Sequence, residues 1–322
     1  MIREESIYVA GHQGMVGSAL LRLLQREGFG NVKTATRAEL DLRDTKCVEA
    51  FFQRTRPRVV VLAAAKVGGI QSNRSFPADY LYDNLMIQNN VIHQAHRSDV
   101  SKLVFLGSSC IYPRDCPQPM KENFLLSGPL EPTNEAYALA KIAGLKMAQY
   151  YNQQFGMQCL CPMPCNLYGP NDSFDPQQSH VLSALVKKFC DAVHDGINEV
   201  ALWGTGIARR EFLHVDDLAR AVLFLLETYR SADIINIGTG TDTSIRELAE
   251  LIAGKVGYHG TLRWDVSMPD GMLRKCMDVS KMRALGFHPS IGLEDGIDQV
   301  IQGYRSTKVA PRLPSLRAGN DR

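Results

Sequence analysis

The apolar run Ile7-Tyr8-Val9-Ala10 passes straight into Gly11-His12-Gln13-Gly14-Met15-Val16-Gly17, and residues 15–27 then carry apolar side chains at helical spacing. A strand, a glycine turn and a helix in that order leave few folds open. Glycine lets the backbone turn sharply and approach a bound group, while the amino end of the helix offers free N–H groups and partial positive charge. A lone glycine pattern is weak evidence. Its place at the first strand-to-helix junction gives it weight, and residues 11–17 are expected to cradle the pyrophosphate of a dinucleotide. A simple turn is the competing reading.

The alternation continues down the chain. Residues 32–36, 59–63, 103–106 and 159–162 have the character of strands, with helical stretches at 80–98 and 135–155 between them. Parallel strands need crossovers, so the expected fold is α/β: a Rossmann-like doubly wound parallel sheet over residues 1–170. After about residue 171 the pattern loosens into loops rich in Asp, Ser, Gln, Pro and Gly, with helices expected at 179–194, 216–229 and 244–256. This part, 171–305, is expected to be a smaller, mainly substrate-binding α/β domain, some of whose segments can return to the first sheet. It would close a cleft over the carboxyl ends of the strands, where such folds bind ligands. Residues 306–322 are polar, basic and proline-containing and are expected to form a flexible tail.

Composition narrows the function classes. With 36 basic and 34 acidic side chains the net charge is only +2, no signal for nucleic acid. The amino-terminal residues lack a secretory apolar stretch, and no apolar run approaches membrane-spanning length. The eight cysteines form no C-x-x-C pair. Cys159, Cys161 and Cys165 fit buried free thiols better than a zinc site, so no metal and a reducing, cytoplasmic setting are expected.

At the end of the second strand stands Arg37, where binders of unphosphorylated NAD usually carry an acid for the ribose 2′-hydroxyl. An arginine there can pair with a 2′-phosphate, which points to NADP(H). A solvated surface arginine is the alternative. Asp41 and Leu42 follow, with the acid in reach of the adenine amino group.

Tyr137-Ala138-Leu139-Ala140-Lys141 places a phenol and an ammonium one helical turn apart on one face. The ammonium is expected to pull the tyrosine pKa down, so that Tyr137 can protonate an alkoxide as hydride arrives, while Lys141 holds the nicotinamide ribose. Upstream, Leu106-Gly107-Ser108-Ser109-Cys110 ends the fourth strand, and Ser108 can donate to a substrate carbonyl.

Glycine loop, strand-end serine and Tyr/Lys pair, in that order, resemble the extended short-chain dehydrogenase/reductases through about Pro289. The resemblance adds a negative sign: dehydratases of this type carry an acidic pair just after the serine, whereas this chain offers the thiol of Cys110. A thiol near a ketone suits proton abstraction from the adjacent carbon, with His180 as the acid on the other face. From the residues alone, Cys110 fits a small buried side chain equally well, and His180 a helix-start residue beside a capping Ser179.

The stretches Gly107-Ser108-Ser109-Cys110-Ile111-Tyr112-Pro113, Ala63-Ala64-Ala65-Lys66-Val67-Gly68-Gly69-Ile70, Glu131-Pro132-Thr133-Asn134 and Arg210-Glu211-Phe212-Leu213-His214-Val215-Asp216-Asp217 together resemble the GDP-L-fucose synthase family. The resemblance implies conversion of GDP-4-keto-6-deoxy-D-mannose to GDP-L-fucose by 3,5-epimerisation and NADPH-dependent reduction at C4. It implies Ser108, Tyr137 and Lys141 for reduction, and Cys110 and His180 for epimerisation. It implies NADP(H) contacts at Gly11, His12, Gln13, Gly14, Met15, Val16, Gly17, Arg37, Asp41, Leu42, Leu106, Gly107, Ser108, Ser109, Tyr137, Lys141, Pro164, Cys165, Asn166, Leu167 and His180. It implies substrate contacts at Lys188, Trp203, Arg210 and Asp270, and a homodimer through the long helices. Without it, Lys188 is a solvated helix charge and Trp203 a core aromatic. The His214, Asp216 and Asp217 set shapes a strand-to-helix junction, with Asp216 the expected cap.

Three departures stand out: Gln13 where the family often has arginine, Cys165 for the commoner threonine, and Lys188 for an arginine, which loses the planar fork. They leave open a 4-keto reductase with C5-only or no epimerisation, acting on a related GDP-4-keto-deoxy sugar or heptose. A non-catalytic NADP(H)-sensing protein is the third reading, and the intact Tyr137/Lys141 pair speaks against it.

Overall fold

Ile7–Ala10 is buried along its whole length, so it has no polar face to turn to solvent and belongs inside a sheet covered on both sides. The computed structural model describes residues 3–175, 179–268 and 270–309. In chain order the first half comprises β1 (Ile7–Ala10), α1 (Met15–Arg26), β2 (Val32–Lys33), α2 (Thr45–Thr55), β3 (Val59–Leu62), α3 (Ile70–Ser75), α4 (Pro77–Arg97), β4 (Lys102–Phe105), α5 (Glu135–Phe155) and β5 (Gln158–Pro164). The second half comprises β6 (Asn166–Tyr168), α6 (Val181–Asp195), β7 (Glu199–Trp203), β8 (Arg209–Arg210), β9 (Phe212–His214), α7 (Val215–Thr228), β10 (Ile234–Ile237), β11 (Thr243–Ser244), α8 (Ile245–Val256), β12 (Thr261–Asp265), β13 (Arg274–Lys275), α9 (Ser280–Ala284) and α10 (Leu293–Val309).

Six strands form the main sheet in the order β10-β5-β4-β3-β1-β2. Every pairing in it is parallel. The chain moves from β1 outward to β2 and then back to β3 on the other side. The carboxyl ends of β1 and β3 therefore flank a topological switch point, the place where this architecture opens a crevice. The glycine loop leaves β1 there.

Two hydrophobic clusters fill the molecule. One holds the sheet strands with Leu213, Leu218, Leu225 and Ile235. The other gathers Val186, Phe189, Leu202, Phe212, Leu248 and Ile297. Phe212 and Leu213, adjacent on β9, thus face different cores, because successive side chains of a strand point to opposite sides. The segment from β9 through β10 returns to the first sheet, with α7 packed beside α1.

Three local expectations need correction. The helix expected from Ser179 begins at Val181, and its cap position is taken by His180. Asp216 is not the cap of α7: the His214 imidazole accepts from the Asp216 N–H, and Asp216 pairs instead with Arg22 at 2.6 Å. The flexible tail expected from Ser306 is helical to Val309, as the last turn of α10, and 310–322 lie outside the described residues. Helix α2, not anticipated from the sequence, is nucleated by Asp44, whose carboxylate accepts from the N–H groups of Lys46 and Cys47.

Candidate active site

At the glycine loop, two positions admit no side chain. A Cβ on Gly17 would lie 2.1 Å from the Gly11 carbonyl oxygen, and one on Gly11, whose φ is +85°, would lie 2.7 Å from the Ala64 backbone. Gly14 occupies the cap position of α1 without a side chain to bond the first-turn N–H groups. Those donors face outward from a positive helix end, the arrangement that fits a pyrophosphate. His12 lies within electrostatic reach of Glu39, which accepts from the Thr36 N–H and hydroxyl, both at 2.8 Å.

Arg37 is exposed beyond β2 and forms no salt bridge among the described residues. Asp41 is committed elsewhere: Arg43 donates to both of its oxygens, as close as 2.6 Å, and that pairing holds its carboxyl down at about 2. Arg43 also reaches Asp83 at 3.1 Å. Leu42 is buried, and its carbonyl accepts from Asn90 at 2.9 Å.

At the end of β4 the chain enters a short 3-10 turn, Ser109–Ile111, with Ser108 at its cap. The Ser108 hydroxyl accepts from the Cys110 N–H at 3.2 Å. Lys141, buried on α5, donates to the Leu106 carbonyl at 2.8 Å, and burial pulls its ammonium down to about 8. Its Nζ lies 5.9 Å from the centre of the Tyr137 ring. The expected fall in the Tyr137 pKa is not found. Burial pushes the phenol well up, negative charge at Cys110 would push it further, and a hydrogen bond with Ser108 opposes both only in part. Tyr137 therefore keeps its phenol proton here.

Cys110 has acquired partners that the sequence reading did not name. Asn134 donates to its Sγ at 3.1 Å and Lys275, from β13, at 3.4 Å. Burial pushes the thiol up, but the Lys275 ammonium and the hydrogen bonds from Ser108, Lys275 and Asn134 outweigh it, and the thiol titrates below its ordinary value. Asn134 lies in a quoted motif, where its place just before α5 was the available signal. Nothing in Arg274-Lys275 marked Lys275.

His180 is exposed at the start of α6, and no hydrogen bond among the described residues joins it to Cys110 or Tyr137. It lies within electrostatic reach of Asp172, which accepts from Ser183. Pro164 closes β5, and the Cys165 N–H donates to Ile237 at 2.9 Å, with burial raising its thiol. Asn166 donates to the Glu211 carbonyl at 2.9 Å, and Leu167 lies half-buried on β6.

The residues expected to touch substrate converge on the end of β7. Lys188 donates to the Ala201 carbonyl at 2.7 Å. Asp270 accepts from the Thr205 N–H at 2.8 Å and its hydroxyl at 2.7 Å, and its own carbonyl lies 3.5 Å from an Arg210 nitrogen. Trp203, the last residue of β7, is 61% exposed, so it is no core aromatic. An exposed indole, a guanidinium and an ammonium are side chains that suit a base linked to a diphosphate.

Residues 7–238 match the NAD dependent epimerase/dehydratase family. GDP-L-fucose synthase 1 of Arabidopsis thaliana is 53% identical over 94% of this chain and 94% of its own length. GDP-L-fucose synthase of Escherichia coli (strain K12) is 48% identical, over 94% of this chain and 97% of its own length. Among solved structures, a GDP-mannoheptose C4 reductase from Campylobacter jejuni with NADP bound superposes with a TM-score of 0.87 at 39% identity, covering 95% of this chain and 99% of that one.

Proposed function

This chain belongs to the NAD dependent epimerase/dehydratase family, and we propose that it converts GDP-4-keto-6-deoxy-D-mannose to GDP-L-fucose by 3,5-epimerisation followed by NADPH-dependent reduction at C4. The observation that carries this reading is the meeting of Cys110 and Tyr137 around Ser108 at the end of β4. A reductase needs only the phenol and the serine. The low-titrating thiol beside them is what an epimerase adds.

The chemistry follows from the groups. Ser108 and Tyr137 donate to the ketone oxygen, which acidifies the hydrogens on the neighbouring carbons. Cys110 takes a proton from one face to leave an enolate, and His180 returns one to the opposite face, inverting the centre. Bound NADPH supplies the hydride for C4. Tyr137 gives its proton to the oxygen that becomes the C4 hydroxyl, and Lys141 holds a ribose hydroxyl and the neighbouring backbone. The glycine loop at 11–17 would take the pyrophosphate, and Arg37 the 2′-phosphate.

Incubating the purified protein with GDP-4-keto-6-deoxy-D-mannose and NADPH, then solving the product by NMR, tests the reading. The expected product is GDP-L-fucose. A product reduced at C4 with C3 or C5 unchanged would instead support the related 4-keto reductase.

We also infer a homodimer through α4 and α5, supported by the exposed Tyr82, Leu139, Tyr150 and Phe155 on those two packed helices. Analytical ultracentrifugation returning a single-chain mass would contradict it. No described helix is long and apolar enough to cross a membrane. All eight cysteines are free, which supports a cytoplasmic setting.

A further inference from the structure

We propose that Lys275 is a positioning residue for the epimerase base: from β13 it holds the Cys110 sulfur as a thiolate before substrate arrives, with the Asn134 amide as second donor. The inference rests on the epimerase reading above and deepens it.

The geometry carries it. Two donors converge on one sulfur, at 3.1 Å from Asn134 and 3.4 Å from Lys275. A neutral thiol is a weak acceptor, and a thiolate is a strong one. Lys275 has no carboxylate partner among the described residues, so its charge is not spent elsewhere. The groups facing the sulfur are Lys275 from β13, Ser108 at the end of β4, and Asn134 and Tyr137 at the start of α5. Cys116 and Cys165 also lie in the field of Lys275, and burial pushes both thiols up. Lys275 is thus the only cation acting on the sulfur among the described residues.

The fold holds this lysine firmly. Lys275 pairs with Arg210 across β13 and β8, and its carbonyl accepts from the Glu211 N–H at 3.2 Å. The next residue, Cys276, donates to Gln118 at 2.9 Å and accepts from the Met120 N–H at 2.8 Å. The charge that activates a base in the first unit is thereby delivered by a strand that lies far along the chain.

An ordinary thiol is only a few per cent ionised near pH 7, which would waste most of the enzyme as the wrong protonation state. With Lys275 in place a larger share of the sulfur starts as S⁻, the form that acts as base. It takes the C–H proton to become S–H, the electron pair passes to the enolate, and Lys275 exchanges no proton in the step. Imidazolium at His180 gives a proton to the opposite face and becomes imidazole. Solvent then removes the thiol proton and reprotonates the imidazole, which closes the cycle.

The test needs no substrate, so its failure is distinct from failure of the epimerase reading. Cys110 alkylation by iodoacetamide is followed against pH by peptide mass spectrometry, with the exposed Cys47 as reference in the same sample and Cys110→Ser as blank. The wild type is expected to reach half-maximal labelling below the pH at which Cys47 does. Lys275→Met is expected to move that midpoint up by about one pH unit or more, roughly a tenfold slower labelling near neutrality. Lys275→Arg, which keeps the charge, is expected to restore most of it. If Lys275→Met fails to fold, Lys275→Gln is read in the same way, with thiolate absorbance as second readout. Equal midpoints in wild type and a folded Lys275 variant without charge would overturn the proposal.

Discussion

The Lys141 ammonium meets the Leu106 carbonyl at 2.8 Å, tying the middle of α5 to the end of β4 at the level of Ser108. The bond fixes where α5 sits against the sheet, and it uses a buried charge to do so. Lys141 is only 5% exposed, and burial holds it near 8 rather than the ordinary 10.5.

Lys141→Met should therefore separate stability from activity. Between about 8 and 10.5 the unfolded chain binds the Lys141 proton more tightly than the folded one, so wild-type stability rises with pH across that window. The variant lacks that rise. Near pH 7 it should be at least as stable as the parent, because a buried charge is removed, yet reduction should be lost. Urea midpoints measured on both sides of the window check this.

Gly17→Ala should fail for a steric reason. Its Cβ would meet the Gly11 carbonyl oxygen at 2.1 Å, and both groups are backbone. The expected cost is about 1–3 kcal/mol, with loss of NADPH affinity. Gly254→Ala on α8, where a Cβ meets nothing within 4 Å, should stabilise by about 0.5–1 kcal/mol. Thermal melts and cofactor titrations of the pair provide the check.

Arg37→Ala should lower NADPH affinity by about tenfold or more, the size of a charge-assisted bond, and leave NADH binding nearly unchanged. Gln13 offers no charge to compensate. Equal effects on both cofactors would remove Arg37 from the 2′-phosphate site.

Glu211 should make stability depend on pH. Burial raises its carboxyl to about 7 from the ordinary 4.5, so the folded protein holds the proton more tightly. Its contribution is fully present below about 4.5 and is lost as pH rises through about 7. Glu211→Gln abolishes that slope. It also sets an amide NH2 against the N–H of Gly240 or Met277, each now bonded at 2.7 Å, at a cost of about 1–3 kcal/mol. Urea titrations at several pH values read both effects.

Much of the sheet was legible because its strands are continuous apolar runs bounded by glycine or polar residues, as Ile7–Ala10 and Val59–Leu62 are. Helix α2 carried a readable signal, Asp44 ahead of the buried Phe51 and Phe52, that went unused. Sequence order alone could not say that Ile234–Ile237 would join β5 at the sheet edge. The site divides in the same way. Ser108, Tyr137 and Lys141 were readable because strand end and helical spacing bring them together locally. Lys275 was not, because it reaches Cys110 through a tertiary contact that no periodicity announces. The Tyr137 phenol departs from the expectation because burial, invisible in a sequence, pushes it up.

The central claim is that one pocket holds two separable chemistries, proton exchange at Cys110 and proton delivery at Tyr137. Its most direct test is NMR of GDP-4-keto-6-deoxy-D-mannose incubated in deuterium oxide with wild type, Tyr137→Phe or Cys110→Ser, first without NADPH and then with it. The account expects deuterium at C3 and C5 with wild type and Tyr137→Phe, and none with Cys110→Ser. It also expects reduction to fall by about 10²–10⁴-fold in Tyr137→Phe. Absence of exchange at both carbons in the wild type, or equal loss of both steps in both variants, would contradict it.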